Sequence, residues 1–422
     1  MKRIGLALLA LVLLVTVIVA AAWPRAQFVP AASPDAWAPT PANIARGAYL
    51  ARVGDCMACH TARGGAAYAG GRALDTPFGR VLSPNITPDA ATGIGAWSAD
   101  DFWQALHNGI GRGGRLLYPA FPYPDYTRVT RADADALFAY LRSLPPVRQA
   151  NRPHALRFPY DRQLALAGWR LLYFRPAVHQ PDGRRPADWN RGAYLVEGLG
   201  HCGACHSARN RMGASGKDLA GGLIPTIGWY APSLTSNAEA GLGHWETEHV
   251  VQLLRTGVSP RGAVFGPMAD VVQHSLQYLT QEDATAMAVY LKSLPSEVRP
   301  KSGTAAAPPE SVTRLGRALY EKHCADCHGA DGRGNGLAYP PLAGNGALTM
   351  AEPVNAIRIV LNGGFAPATS GNPRPYGMPP YSPVLSDAEV AAVVSYVRSS
   401  WGNGAGVVTP AQVNRYRPVP LD

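Results

Sequence analysis

Few charged residues are present, and none are gathered into a run. Asp, Glu, Lys and Arg make up 16% of the 422 residues, below the proportion of about a quarter that is typical of soluble proteins. The formal net charge is +10, but no cluster of lysines and arginines accompanies it, so a nucleic-acid partner is not expected. Glycine (45) and proline (38) follow no repeat period, which excludes collagen, and a hydrophobic fraction of 47% excludes a disordered chain.

Only one long apolar run occurs, and it lies at the N-terminus. Lys2 and Arg3 precede an uncharged stretch from Ile4 to Trp23, which as a helix is long enough to cross the hydrocarbon core of a bilayer. Ala20-Ala21-Ala22 is also an acceptable cleavage site for a signal peptide. Residues 1–23 are therefore predicted to be either an uncleaved anchor or a cleaved signal, and both place the rest of the chain outside the cytoplasm.

The rest of the chain contains three related segments. Each opens with a similar five-residue run ahead of a cysteine pair, namely Arg46–Leu50, Arg191–Leu195 and, more distantly, Gly316–Tyr320. Each closes with a helical pattern that begins at a Ser or Thr N-cap, namely Thr130–Leu144, Thr280–Leu294 and Ser386–Ser399. A fixed order of similar elements indicates tandem repetition.

The six cysteines form three pairs with one spacing, each followed at once by histidine, so that none is left over for a disulfide. Cys-x-x-Cys-His is the attachment signature of c-type haem, in which two thiols bind one porphyrin and the histidine binds iron. A disulfide redox pair needs no following histidine, and a zinc site needs four ligands where each segment supplies one cysteine pair. Haem attachment is therefore predicted at Cys56, Cys59, Cys202, Cys205, Cys324 and Cys327, with iron bound by His60, His206 and His328.

The fold class expected is all-α, with three tandem cytochrome c-like domains, each built around one covalently bound haem, behind an N-terminal apolar helix. Segments of about 100 residues rich in glycine and proline bury little core alone, and a large apolar cofactor removes that difficulty. The expected limits are a signal anchor or signal peptide at 1–23, a linker at 24–40, domain 1 at 41–147, an aromatic linker at 148–187, domain 2 at 188–296, a linker at 297–310, domain 3 at 311–402 and a tail at 403–422.

The sixth iron position is predicted to be a methionine sulfur in the second and third segments. Met268 and Met378 both follow the ligand histidine in loops rich in glycine and proline. A thioether sulfur opposite histidine raises the reduction potential of the iron, as an electron carrier requires. Met287 falls on a helix face and is interpreted as a core residue, whereas Met350 remains a rival to Met378.

The first segment departs from this pattern, because the equivalent position is Phe121, which cannot bind iron. His107 and Tyr118 are candidate substitutes, although a packing or surface role suits each of them better. A first haem that is five-coordinate or weakly ligated, with a lower potential than the others, is therefore expected.

Residues 41–402 resemble the triple-haem cytochrome c subunits of bacterial membrane-bound dehydrogenase complexes that oxidise alcohols, gluconate, sorbitol or aldehydes. The resemblance rests on Arg46–Leu50 with Cys56–His60, on Gly93–Trp97, on Leu117–Tyr126, on Ala187–Asn190, on Gly200–Cys202 with Ser207–Asn210, and on Gly266–Met268. It implies a periplasm-facing subunit of the inner membrane that accepts electrons from a dehydrogenase subunit holding a flavin, quinone or molybdenum cofactor. Ubiquinone or a terminal oxidase is the implied acceptor, and the family carries methionine at the position of Phe121.

The leading hypothesis is therefore an electron-transfer subunit with no substrate chemistry of its own. The alternative is a multihaem enzyme of the peroxidase type that uses an open first haem. This alternative is suggested by Phe121, which cannot bind iron. A module of a respiratory oxidase is a third interpretation, which predicts further membrane spans or fixed oxidase partners. Nothing in the sequence selects among alcohols, sugar acids and aldehydes as the substrate of the complex.

Overall fold

The computed structural model describes residues 5–6, 9–10, 13, 30–31, 33, 35–237, 240–296 and 307–419. Helices provide most of the regular structure in this part of the chain. In order they are α1 Pro41–Val53, α2 Cys56–His60, α3 Ala99–Trp103, α4 Tyr123–Tyr126, α5 Arg131–Ser143, α6 Gln163–Tyr173, α7 Ala187–Tyr194, α8 Gly203–His206, α9 Thr247–Thr256, α10 Pro267–His274, α11 Gln281–Ser293, α12 Glu310–His323, α13 Ala325–His328, α14 Gly346–Thr349, α15 Val354–Asn362, α16 Asp387–Ser399 and α17 Pro410–Tyr416. Two π-helical turns, Gln104–Asn108 and Leu195–Leu199, and a 3₁₀ turn, Leu276–Tyr278, lie between them.

Short antiparallel strands interrupt the helices, so the expectation of an all-α chain is wrong. They are β1 Ala73–Thr76, β2 Gly79–Leu82, β3 Ala155–Leu156, β4 Gly222–Ile224, β5 Trp229–Ala231, β6 Val258–Ser259, β7 Gly262–Ala263, β8 Gly364–Phe365 and β9 Gly377–Met378. The first three form one sheet in the order β1-β2-β3, and the others pair as hairpins. Strands this short carry too few residues for the period-two alternation that identifies a strand in a sequence.

A glycine in β2 allows β2 and β3 to approach each other closely in the three-stranded sheet. Gly79 has a φ of 121°, and a Cβ atom added there would lie 2.4 Å from the carbonyl oxygen of Ala155. A side chain at this position would therefore separate β2 from β3, and this requirement is visible only once the two strands are paired.

One helix–helix contact recurs in all three segments. A glycine of the opening helix lies directly against the backbone of the closing helix, where an added Cβ would meet a carbonyl oxygen at 1.9, 2.0 and 2.3 Å. The pairs are Gly47 with Ala136, Gly192 with Ala286, and Gly316 with Ala392. The closing helices begin where the sequence predicts, because the Thr130, Thr280 and Ser386 side chains accept N-cap hydrogen bonds.

An ion pair reinforces this contact in the first two segments. Arg46, next to Gly47, binds Asp133 in the first turn of α5 at 2.5 Å, and Arg191 binds Asp283 in the first turn of α11 at 2.7 Å. A carboxylate near a helix N-terminus is also stabilised by the helix dipole. In the third segment Leu315 precedes the glycine, and the ion pair is replaced by a capping box at the start of α16.

The chain divides into two compact units rather than three separate bodies. Unit 1 comprises residues 1–51 and 59–180, and unit 2 comprises residues 52–58 and 181–422. The domain limits drawn from the sequence stay predictions, and most of the 297–310 linker lies outside the described residues.

Contacts within unit 2 join the second segment to the third. The Asn355 side chain exchanges hydrogen bonds of 2.9 and 2.7 Å with the backbone of Tyr230, and the Arg358 guanidinium lies 4.9 Å from the Trp229 ring centroid. The second and third predicted domains therefore share one packed unit.

The N-terminal apolar helix expected at residues 1–23 lies largely outside the described residues. Among the helices that are described, none combines the length and the apolar character needed to cross a membrane.

The contact between Gly47 and α5 predicts that a glycine-to-alanine substitution changes the stability of unit 1 differently at two positions. Gly47→Ala is expected to destabilise unit 1 by about 1–3 kcal/mol, because the new methyl group overlaps the α5 backbone. Gly168→Ala in α6 is the matched control, since a Cβ there meets nothing within 4 Å. That substitution is expected to leave stability unchanged or to raise it by up to about 1 kcal/mol. Urea unfolding monitored by circular dichroism measures both, and equal shifts for the two variants would contradict the proposed contact.

Candidate haem-attachment sites

Each motif histidine ends a short helix and donates a hydrogen bond from its ring to a proline carbonyl. The Nδ1–oxygen distances are 2.8 Å for His60 to Pro84, 2.7 Å for His206 to Pro232, and 3.0 Å for His328 to Pro340. A carbonyl oxygen only accepts hydrogen bonds, so Nδ1 carries the proton and Nε2 keeps its lone pair. The three rings are therefore held in the tautomer that binds a metal ion through Nε2.

The electrostatic surroundings favour the same state. Burial lowers the pKa of His60, His206 and His328, and the proline hydrogen bond opposes that effect only in part. A neutral imidazole is the form that binds a metal ion. All three rings are therefore ready to act as ligands at neutral pH.

The amide of a glycine binds the backbone carbonyl of each motif histidine. The histidine carbonyl oxygens of the three motifs accept hydrogen bonds of 2.7, 2.8 and 2.8 Å from the amides of Gly70, Gly221 and Gly334. These glycines have φ values of 74°, 88° and 70°, which other residues rarely adopt. An added Cβ at Gly70 would lie 2.4 Å from the Pro84 carbonyl carbon, and one at Gly334 would lie 2.8 Å from that of Pro340. The glycine and the proline loop thus pack together around the histidine.

The proline loops of the first two segments are themselves fixed by buried polar side chains. Asn85 Oδ1 accepts hydrogen bonds from the amide and hydroxyl of Thr87 at 2.9 and 2.7 Å. In the second segment the Ser233 hydroxyl takes the place of the asparagine and accepts from the Thr235 amide at 3.2 Å. Each pair closes a local turn. The position of the proline carbonyl that orients the histidine is therefore set by buried contacts and not by groups on the solvent-exposed surface.

None of the six cysteines, all of which the structure describes, forms a disulfide, and their exposure follows one pattern. The first cysteine of each pair is half-buried and the second is exposed, in Cys56 and Cys59, in Cys202 and Cys205, and in Cys324 and Cys327. Burial, and secondarily the neighbouring Cys327, raise the pKa of Cys324 to about 11. Within the described residues no group of three or more His, Cys, Asp or Glu is placed to hold a metal ion, and a structural zinc site requires four such ligands.

The two predicted axial methionines lie on unlike elements. Met268 is the second residue of α10 and follows Gly266, where an added Cβ would lie 2.8 Å from the Trp229 indole. Met378 is the last residue of the short strand β9 and pairs with Gly364 of β8. Both side chains are half-buried, whereas Met287 and Met350 are 1% and 4% exposed. Met287 therefore lies in the core as predicted, and the ligand roles of Met268 and Met378 stay predictions.

In the first segment Phe121 occupies a turn and packs edge-on against Tyr126, with ring centroids 5.4 Å apart. The candidate substitute His107 is fully buried in the π-helical turn and stacks on Trp103 at 4.4 Å. Burial lowers the pKa of His107 and raises that of Tyr118. His107 is therefore buried and Tyr118 half-buried, and neither has the proline-held geometry of a motif histidine.

Several buried polar atoms of the first and second segments have no hydrogen-bond partner among the described residues. They are the indole Nε1 atoms of Trp103 and Trp229, His107 Nε2 and the Tyr118 hydroxyl. Buried polar groups are nearly always paired in folded proteins, so unpaired ones indicate a missing partner. Together with the oriented histidines and the cysteine pairs, they fit a large covalently held group with a polar edge.

Sequence reasoning did not identify the proline and glycine partners of the histidines. A signal was present in the first two segments, where Pro84 and Pro232 each begin a Pro-x-x-Thr run after the motif. Pro340 lies in no such run and only 12 residues after His328, so its role became visible only in three dimensions.

Comparison with known proteins assigns the chain to a family. The alcohol dehydrogenase (quinone) cytochrome c subunit of Gluconacetobacter polyoxogenes is 40% identical over 89% of this chain and 84% of that subunit. The gluconate 2-dehydrogenase cytochrome c subunit of Pantoea cypripedii is 41% identical over 88% of each chain. The chain belongs to the cytochrome c subunits of dehydrogenase complexes. As such a subunit it binds haem c covalently and transfers electrons. The fructose dehydrogenase cytochrome subunit of Gluconobacter japonicus is also similar, at 36% identity over 90% of this cytochrome c subunit and 84% of that one.

The sequence profile of the family described as Cytochrome c matches residues 44–145 and 313–401 of this cytochrome c subunit. It does not match the second segment, so the expectation of three tandem cytochrome c-like domains is wrong. The second segment also differs in structure, because its opening helix α7 passes into the π-helical turn Leu195–Leu199 before the cysteine pair. The helices α1 and α12 have no such turn.

Two neighbouring histidines allow the assignment of the ligand to be tested in this cytochrome c subunit. His201 and His206 flank the second cysteine pair, and each Nδ1 lies within 3.1 Å of a carbonyl oxygen. His206→Ala is expected to convert one ferric haem from low spin to high spin, because its axial nitrogen is lost. His201→Ala is expected to leave the spin state unchanged. Electron paramagnetic resonance of the oxidised protein measures both, and a spin change in the His201 variant would refute the assignment.

Proposed function

We propose that this chain carries three covalently attached haem c groups and passes electrons from a periplasmic dehydrogenase subunit to ubiquinone or a terminal oxidase. The observation that carries the proposal is the triple recurrence of one arrangement. A Cys-x-x-Cys-His motif ends in a histidine whose ring donates to a proline carbonyl and whose own carbonyl accepts from a glycine amide. The family profile supports haem attachment at the first and third motifs, and the shared geometry extends the proposal to the second.

The polypeptide binds, orients and buries the cofactors. The cysteine thiols attach the porphyrins, the histidine Nε2 atoms bind iron, and Met268 and Met378 are the proposed sixth ligands. When bound, haem supplies a one-electron oxidation and reduction that no side chain provides. Hydrogen bonds to uncharged proline carbonyls fix the orientation of the histidine rings before iron is bound. Little rearrangement of the protein therefore accompanies the change in iron charge.

The proposed electron donor is a dehydrogenase subunit, since the relatives are named as cytochrome subunits of alcohol, gluconate and fructose dehydrogenases. Their identities to this chain are 40%, 41% and 36%, which is too narrow a range to select one substrate. We therefore leave the donor cofactor open among flavin, quinone and molybdenum types. The apolar run after Lys2 and Arg3 supports a location on the periplasmic side of the inner membrane.

The haem count is the direct test of this function. A pyridine haemochrome assay on the purified full chain is expected to give about three haems per polypeptide. Replacement of Cys202 and Cys205 by alanine is expected to lower the count by one and to leave the other two haems reducible by the partner dehydrogenase and its substrate. A count of two in the unaltered chain would remove the second motif from the proposal. Absence of haem reduction by the co-purified dehydrogenase would refute the electron-transfer role.

Phe121 favours a second candidate function, in which an open first haem reacts with a small ligand such as peroxide. The reduced protein is expected to bind about one carbon monoxide per chain, because methionine protects the other two irons. Phe121→Met is expected to abolish this binding, and Phe121→Leu, which also lacks a ligand atom, is the control that should retain it. Optical titration measures both. Unchanged binding in the methionine variant would show that the 118–122 turn does not cover the iron.

A further inference from the structure

Helix α6 of unit 1 is apolar on both of its faces, although only one of them is buried. Leu166 and Ala167 are 4% and 7% exposed and pack towards Leu116. On the opposite side Leu164, Leu171 and Leu172 are 60%, 42% and 68% exposed. The exposed leucines recur at i, i+7 and i+8, which is the spacing of a continuous helical stripe.

Polar side chains on the buried side fix the orientation of α6. Gln163 accepts a hydrogen bond from the Leu116 amide at 2.8 Å, and Arg170 donates to the Asn108 carbonyl at 2.6 Å. The Arg170 guanidinium also lies 4.7 Å from the Phe174 ring centroid. With both ends held, the helix cannot rotate its leucine stripe towards the protein interior.

The exposed stripe continues into neighbouring residues. Phe158, in the loop before α6, is 77% exposed. Gly168 lies on the same side as the leucines, and an added Cβ there meets nothing within 4 Å. We call this surface, formed by Phe158, Leu164, Leu171 and Leu172, the α6 face.

The charged residues around the α6 face are mainly arginines. Arg157, Arg162 and Arg175 are exposed, and α6 itself contains no acidic residue. Asp161 is the nearby acid and lies 3.4 Å from Arg162, whose side chain is 66% exposed. The surroundings of the face therefore carry a net positive charge.

We propose that the α6 face lies on an anionic lipid surface, with its leucines and Phe158 in the interface and its arginines at the headgroups. A large apolar face beside basic residues is the composition of an interfacial helix. The 11 residues of α6 extend about 16 Å, roughly half the hydrocarbon thickness, so the helix lies in the plane of the membrane and does not cross it. Anionic lipids attract basic segments near the membrane surface, so the α6 face is expected to bind an anionic surface in preference to a neutral one.

The proposal is tested by hydrogen–deuterium exchange on the full-length protein with vesicles. Local exchange is the readout, because the apolar run at residues 4–23 can bind the chain to vesicles by itself. Vesicles of phosphatidylglycerol and phosphatidylethanolamine are expected to slow exchange in peptides covering residues 158–175 by about tenfold when lipid exceeds the dissociation constant tenfold. Phosphatidylcholine vesicles are expected to slow it less, and added salt is expected to weaken the anionic effect.

Two variants separate contact by the α6 face from other causes. Leu164→Gln with Leu172→Gln removes exposed leucines and keeps the buried side, so it is expected to abolish the local protection while the chain still folds. Val384→Ser in unit 2 is the matched control, since that side chain is 62% exposed and apolar, and it is expected to keep the protection.

Several outcomes would overturn the proposal. Equal protection by neutral and anionic vesicles would remove the role of the arginines. Protection that appears without vesicles and grows with protein concentration would assign the face to a second copy of the chain. Protection produced only by the dehydrogenase subunit would assign it to a protein interface. None of these results bears on the haem count, so this proposal and the proposed function fail separately.

Discussion

The hydrogen bond from each motif histidine to a proline carbonyl is the interaction on which the site depends. A sequence motif places thiols and an imidazole close together along the chain, but it does not decide which ring nitrogen faces the metal. That choice is made by a carbonyl 24, 26 or 12 residues away, which accepts a hydrogen bond from Nδ1–H and leaves Nε2 available. Because a backbone carbonyl cannot donate or ionise, the choice is insensitive to pH.

The proline loop that binds the motif histidine is stabilised by different side chains in different segments. Asn85 in the first segment and Ser233 in the second each bind a threonine two residues later, and the loop that follows the third motif is shorter. In every case a glycine with positive φ lies under the histidine carbonyl, where a side chain would collide with the proline loop or the strand behind it. The geometry is therefore preserved by backbone conformation rather than by side-chain identity, which explains how it survives divergence among the segments.

Local features of the fold were predictable from the sequence, and features that depend on distant residues were not. The cysteine–histidine motifs, the three closing helices and their N-caps follow from adjacent residues, and the structure contains the helices with Thr130, Thr280 and Ser386 as caps. The strands were missed because they are too short to show alternation. The shared packing of the second and third segments was missed because it rests on contacts such as that between Tyr230 and Asn355, which lie 125 residues apart.

The two sides of each site obey different constraints. On the histidine side the proline and glycine contacts recur with little variation, whereas the opposite position is Phe121 in a turn, Met268 in a helix and Met378 in a strand. A ligand presented by unlike elements has unlike burial and freedom of movement, and axial ligation and burial are the main means by which a protein sets the potential of a haem. Under the proposed function, the invariant side therefore secures attachment, and the variable side gives each segment its own potential.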